Sequence, residues 1–262
     1  MTAPIKPNST SQITSTELQA FNEDGFLALP RFLAGDNLDS LQHELNRFIS
    51  SQLHRLPPEH VFYEVKNDPT TLKQIQQLGK HDPWFEKLIA DSILRQIAEQ
   101  LLQSPVVPKN LQYFNKPAGN GKATPPNQDG YYFMLSPPDA ITMWLALDHV
   151  DEENGCVRYV KGSHKDGMRE HSRTETLGFS QGIKGYPTAG ELEHEVACPA
   201  APGDLLVHHA LTIHRANANK SRHRTRRALG FIYYSTSARE DTVAHRAYQE
   251  MLAQELQANG KL

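Results

Sequence analysis

DLLVHHALTIH, residues 204–214, and RALGFIYYS, residues 227–235, are the two apolar runs that decide the fold. Both are short, and both are bounded by turn-forming or basic residues, so they read as strands rather than helices. Working outward, LQYFN (111–115), YYFML (131–135), ITMWLALD (141–148) and CVRYV (156–160) share this grammar, broken each time by Gly, Pro or Asn. Upstream of Pro105 the pattern changes. Thr14 and Glu17 have capping-box spacing ahead of a short helix that ends at Asp24-Gly25, and the strand-like FLALP (26–30) follows. Asp36 is placed to cap a longer helix in which Leu38, Leu41, Leu45, Phe48 and Ile49 recur at helical spacing. A third helical segment is expected from near Pro69, and a fourth from Trp84 to about Leu102 with Leu88, Ile93, Ile97 and Leu101 facing inward.

Helices first and many strands afterwards predict a mainly β fold, an antiparallel sandwich or barrel buttressed on one side by the N-terminal helices. The expected organisation is a polar tail over 1–13 and a single domain over 14–262. Its parts are helical support over about 14–104, a β-barrel core over about 105–237 and a C-terminal helix over about 240–257. The connection over 165–195 is long and carries little periodicity, as a lid over a pocket would, with Arg169, His171 and Arg173 available to a polar or anionic substrate.

The chain has 262 residues, ample for an independent core, and 27 Lys plus Arg against 30 Asp plus Glu give a formal net charge of −3. A charge of that sign argues against nucleic acid or an anionic membrane as partner. The basic run KSRHRTRR (220–227) therefore reads as a solvated hairpin with one or two inward arginines, and a buried arginine there calls for an anionic partner. Cys156 and Cys198 are the only cysteines, too few for a disulfide framework, and no apolar run reaches membrane-spanning length. A cytoplasmic location is the default expectation.

Asn127 and Asp129, two apart on an extended segment, project to one face, and His214 lies on a later strand. A carboxylate with a histidine suits a metal of intermediate hardness such as ferrous iron. Two other histidine groupings compete. His149-Val150-Asp151 has His-x-Asp spacing but sits in an acidic, turn-rich segment and reads as an exposed loop. His208, His209 and His214 form the other, although neighbours 208 and 209 face opposite ways on a strand.

FNEDGFLALPRFL (21–33), LQYFNKPAGNG (111–121), PPNQDGYYF (125–133), TMWLALDHVDEENGCVRYVKGSH (142–164), PGDLLVHHALTIHRANANKS (202–221) and RRALGFIYYS (226–235), in that order, resemble the phytanoyl-CoA dioxygenase family. The resemblance implies a double-stranded β-helix, a jelly-roll, cupin-like barrel. It also implies iron(II) as cofactor, 2-oxoglutarate as cosubstrate, and dioxygen-dependent hydroxylation of an aliphatic carbon of a small molecule. By the same resemblance Asp129 and His214 are metal ligands, Arg226 holds the far carboxylate of 2-oxoglutarate, and Gln112 and Trp144 line its pocket. Tyr131, Tyr132 and Met134 are placed either as substrate walls or as core filling.

There is one departure. Where the family carries His-x-Asp, this chain has Asn127-Gln128-Asp129. An amide oxygen is a neutral, weaker donor than imidazole, so Asn127 as ligand implies a looser hold on iron. A natural variant that still uses iron, a degenerate site that binds a small molecule without turnover, and an introduced substitution all fit the sequence.

Overall fold

The structure, a computed structural model, describes residues 12–258 apart from 67, 175 and 177–180, so most of the expected tail lies outside the described residues. In chain order the strands are β1 (Phe26–Leu29), β2 (Val61–Tyr63), β3 (Leu72–Ile75), β4 (Val106–Lys116), β5 (Thr124–Asn127), β6 (Leu135–Ser136), β7 (Ala140–Ala146) and β8 (Val157–Val160). They continue with β9 (His171–Arg173), β10 (Gln181–Ile183), β11 (Glu195–Cys198), β12 (Leu205–His209), β13 (His214–Ala216), β14 (Arg226–Ser235) and β15 (Arg239–Glu240). The helices are α1 (Ser15–Asp24), α2 (Asp36–Gln52), α3 (Leu78–His81), α4 (Pro83–Ala90), α5 (Ile93–Leu102), α6 (Asp129–Phe133), α7 (Ala189–His194) and α8 (Thr242–Ala258). Among the described residues no helix is long and apolar enough to cross a membrane.

A seven-stranded sheet runs in the order β1-β12-β7-β14-β4-β3-β2, and a four-stranded sheet in the order β11-β8-β13-β5. Every pairing within them is antiparallel. The larger sheet is buried on both faces, which is why its strands read as near-continuous apolar runs rather than as alternation. One face, carrying Ile141, Met143, Leu145, Leu205, Val207, Leu229, Phe231 and Tyr233, packs on the helices through Leu41, Leu45, Phe48, Phe85, Leu88 and Ile97. The opposite face presents Trp144, Ala146, Leu206 and Ala228 to the barrel interior, where Val157 and Tyr159 of β8 meet them. This is the jelly-roll barrel, buttressed by helices, that the resemblance implies.

The capping box at Thr14 and Glu17 forms as expected. Several local expectations give way to tertiary pairing. Near Pro69 the chain makes only the 3-10 turn Pro69–Thr71 before β3, which pairs Gln74 with Phe114 and Ile75 with Tyr113. The helix expected over Trp84 to Leu102 is two helices, because Ser92 is extended and its side chain accepts from the Leu94 amide as a new N-cap. Asp36 is the first residue of α2 rather than its cap, a position taken by Gly35. YYFML is not a strand: Tyr131 to Phe133 close the short α6, and Met134 leaves it in the left-handed region at φ 51. Gly203, at φ +88, has to be glycine, since a Cβ there would lie 1.8 Å from the Leu33 carbonyl oxygen.

Candidate metal centre and anion site

Asn127 ends β5, Gln128 is extended at φ −126 and ψ 126, and Asp129 opens α6. The Gln128 side chain turns away, its Nε2 donating to Leu211 O at 2.7 Å and Gly167 O at 2.9 Å. That anchor leaves Asp129 facing the barrel, where its Oδ2 accepts from the Thr142 hydroxyl at 2.5 Å. His208 Nε2 lies 3.1 Å from Oδ2, and His214 Nε2 lies 3.5 Å from Oδ1. Asp129, His208 and His214 each offer a ligand atom, and these atoms all lie within 4.8 Å of one another.

Partners on the far side of each ring set its orientation. His214 Nδ1 lies 3.0 Å from Thr212 O and so donates to it, which leaves the Nε2 lone pair facing a carboxylate. His208 Nδ1 is 3.1 Å from the Tyr159 hydroxyl, and Tyr159 is itself stacked on Phe26 at a centroid distance of 4.6 Å. Burial alone would raise the Asp129 carboxyl, but the His214 and His208 imidazoles and the Thr142 hydroxyl hold it well below the usual carboxylate range. Burial pushes His214 down to about 4, with His208 adding to the effect and Asp129 opposing it. At neutral pH the cluster is thus an ionised carboxylate beside a neutral imidazole. A lone pair aimed at a carboxylate inside a barrel calls for a cation between them, and this donor set fits a divalent metal such as iron(II).

Asn127 is fully buried, and its position opposite His214 in the β5–β13 register keeps it close. Its Nδ2 donates to Pro125 O at 3.0 Å and to His214 O at 3.4 Å, while its Oδ1 has no hydrogen-bond partner. His209, as its parity requires, faces away from the cluster and accepts from the Leu211 amide at 3.1 Å. His149-Val150-Asp151 is also elsewhere: Val150 bridges Ala200, and Asp151 pairs with Arg224.

The register of the larger sheet links the cluster to the second part of the site. His208, Thr142 and Ile232 form one row across β12, β7 and β14, and Leu206, Trp144, Gly230 and Gln112 form the next row, reaching β4. Further along the same face of β14 come Ala228 and Arg226. Arg226 is buried, its guanidinium lies over the Trp144 ring at 5.2 Å, and its Nε donates to Gly155 O at 3.2 Å. Burial pushes it down to about 10. Among the described residues no carboxylate is within ion-pair distance of it. Arg227, one residue on and facing the other way, is held by Asp148 through bonds of 2.7 and 3.0 Å. Gly230 and Ala228 lie between the His208 row and Arg226 along β14, and the Phe114 ring packs over them, since a Cβ at Gly230 would lie 2.6 Å from its Cε2. Gln112 is buried in this row and accepts from Gln74 Nε2 at 2.7 Å.

The segment over 165–195 holds β9, β10 and α7, and both Arg169 and His171 have structural partners. Arg169 is paired with Glu191, and His171 Nδ1 donates to Arg169 O at 2.9 Å. Tyr131 stacks on the His171 ring at 4.4 Å, and the Tyr132 hydroxyl donates to Gln181 O at 2.9 Å.

Comparison with known proteins agrees with this geometry. The family model described as phytanoyl-CoA dioxygenase (PhyH) matches residues 21–228. Peroxisomal phytanoyl-CoA dioxygenase of Mus musculus is 25% identical over 225 residues, which is 80% of this chain and 65% of the mouse protein. A phytanoyl-CoA dioxygenase domain-containing protein 1 homologue of Caenorhabditis elegans is 32% identical over 153 residues, 54% of this chain and 52% of that protein. The chain thus spans less than two thirds of the length of either relative. Among solved structures, EctD from S. alaskensis with 2-oxoglutarate and 5-hydroxyectoine superposes with a TM-score of 0.71 at 20% identity, covering 91% of this chain and 81% of that one. The carbocyclase SnoK from nogalamycin biosynthesis, described as non-heme and alpha ketoglutarate dependent, gives 0.69 at 22% identity, covering 90% and 89%. The barrel, its inward carboxylate and imidazoles and the family match over most of the sequence lead to one conclusion: the chain belongs to the phytanoyl-CoA dioxygenase family.

Proposed function

We propose that the chain is an iron(II)- and 2-oxoglutarate-dependent dioxygenase that hydroxylates an aliphatic carbon of a small molecule. The observation that carries this reading is the pairing, inside one barrel, of a half-buried Asp129 carboxylate facing imidazole nitrogens with a buried Arg226 that has no carboxylate partner among the described residues. Asp129 and His214 would hold the metal. Bound iron with 2-oxoglutarate supplies the activation of dioxygen, at the expense of the keto acid, which leaves as succinate and carbon dioxide. The planar fork of Arg226 suits the far carboxylate, and Trp144, already stacked against the guanidinium, fixes the fork's plane. Gln112 offers an amide along the same row. Phe26 and Tyr159 close the interior against water beside the His208 ring, which keeps the electrostatic interactions there strong.

The test is an anaerobic mixture of the protein with iron(II) and 2-oxoglutarate. A weak visible charge-transfer band, followed by succinate release on admitting air, is expected. A colourless mixture that yields no succinate would reduce the barrel to a binding module.

A further inference from the structure

Resting on the iron reading above, we propose that His208 is the metal's second imidazole ligand, taking from β12 of the larger sheet the role that the resemblance assigns to position 127. The missing histidine is thus relocated rather than lost.

The geometry at the two positions differs. Asn127 has committed its amide nitrogen to two backbone carbonyls, at 3.0 and 3.4 Å, and keeps only a neutral amide oxygen. His208 instead aims Nε2 at the Asp129 carboxylate from 3.1 Å. Donors about 2.1 Å from one metal, on adjacent coordination positions, lie roughly 3 Å apart. His208 Nε2 lies 3.1 Å from Asp129 Oδ2 and His214 Nε2 3.5 Å from Oδ1, so each imidazole meets one oxygen of the carboxylate at near that spacing, and the three ligand atoms lie within 4.8 Å of one another. The His208 and His214 rings converge, with centroids 4.5 Å apart.

Strand parity selects His208 from the adjacent pair. Leu205 and Val207 pack on the helices and Leu206 on the barrel interior, so the side chain of residue 208 is inside and that of 209 is not. His208 is 3% exposed, and the Tyr159 hydroxyl at Nδ1 provides the outer contact that a ligating histidine needs to keep its lone pair aimed.

The relocation has a structural consequence. Asp129 and His214 follow or belong to strands of the four-stranded sheet, whereas His208 lies in the seven-stranded one. A metal bound by all three ties the two walls of the barrel together, so its binding should raise the thermal midpoint, and His208→Ala should remove that increment.

Cobalt(II), titrated calorimetrically and followed by its visible d–d absorption, is the probe. Wild-type protein should take up one equivalent, and Asn127→Ala should bind within about tenfold of it. His208→Ala should lose roughly 100-fold or more in affinity, beyond what an outer contact contributes. Added imidazole, filling the vacated space, should restore the absorption band in His208→Ala. Wild-type-like binding by His208→Ala, or loss confined to Asn127→Ala, overturns the assignment. If His208→Ala does not fold, His208→Gln, closer in size, is read by the same titration. Failure of the wild-type protein itself to bind cobalt would instead remove the oxygenase reading on which this inference rests.

Discussion

Arg226→Ala is expected to raise the 2-oxoglutarate concentration for half-saturation by roughly 100-fold, because a desolvated charge-assisted contact of this kind is worth about 2–5 kcal/mol and each tenfold corresponds to about 1.4 kcal/mol. The apo protein should lose little stability. In the free protein Arg226 is a buried cation whose polar contact is the Gly155 carbonyl, and burial already lowers its affinity for a proton. Removing it relieves a desolvation cost, which offsets the loss of its stacking on Trp144 and of its hydrogen bond to the Gly155 carbonyl. Arg227→Ala should show the reverse: breaking the half-buried pair with Asp148 weakens the fold and leaves 2-oxoglutarate saturation close to wild type. Titration of the anaerobic charge-transfer band reads the first quantity, and urea unfolding reads the second. Equal saturation by Arg226→Ala and wild type would remove Arg226 from the carboxylate-binding role.

Asp129→Asn is expected to abolish measurable iron(II) binding, a loss of roughly 100-fold or more, while the barrel stays folded. The amide keeps nearly the volume of the carboxylate and can still accept from the Thr142 hydroxyl. What disappears is the negative charge, which is the hard anionic donor of the cluster and the reason a divalent cation is favoured there. Metal content after anaerobic loading and desalting checks this, with circular dichroism to confirm the fold. An Asp129→Asn protein that retains a full equivalent of iron would show that the metal sits elsewhere.

Much of the barrel was legible because the larger sheet is sandwiched between helices and a filled interior. Strands such as ITMWLALD and RALGFIYYS must then be apolar on both faces, and their turn-rich flanks mark their ends. A resemblance spread over six segments points to Asp129, His214 and Arg226, and the structure brings the first two together and leaves the third buried, with no carboxylate partner among the described residues. Short elements were less legible. The strand Leu72–Ile75 exists because β4 offers it an edge, and α6 exists because Gln128 is anchored on both sides, neither of which local propensity records.

His208 shows what a motif search leaves out. In the sequence it groups with His209 and His214, and the opposite orientation of residues 208 and 209 argues against that group as a whole. The same parity identifies the one histidine of the pair that faces the barrel, and the row His208–Thr142 places it beside the carboxylate that Thr142 binds. A search for an inward histidine on any strand neighbouring the Asp129 segment, rather than for two residues of spacing, would have found it.

The most direct measurement is a crystal structure grown without oxygen with manganese(II), standing in for iron(II), and 2-oxoglutarate. One anomalous peak bound by Asp129, His208 Nε2 and His214 Nε2, with the keto acid's far carboxylate on Arg226, is the predicted result. A metal ligated away from these side chains, or a keto acid that leaves Arg226 untouched, would contradict it.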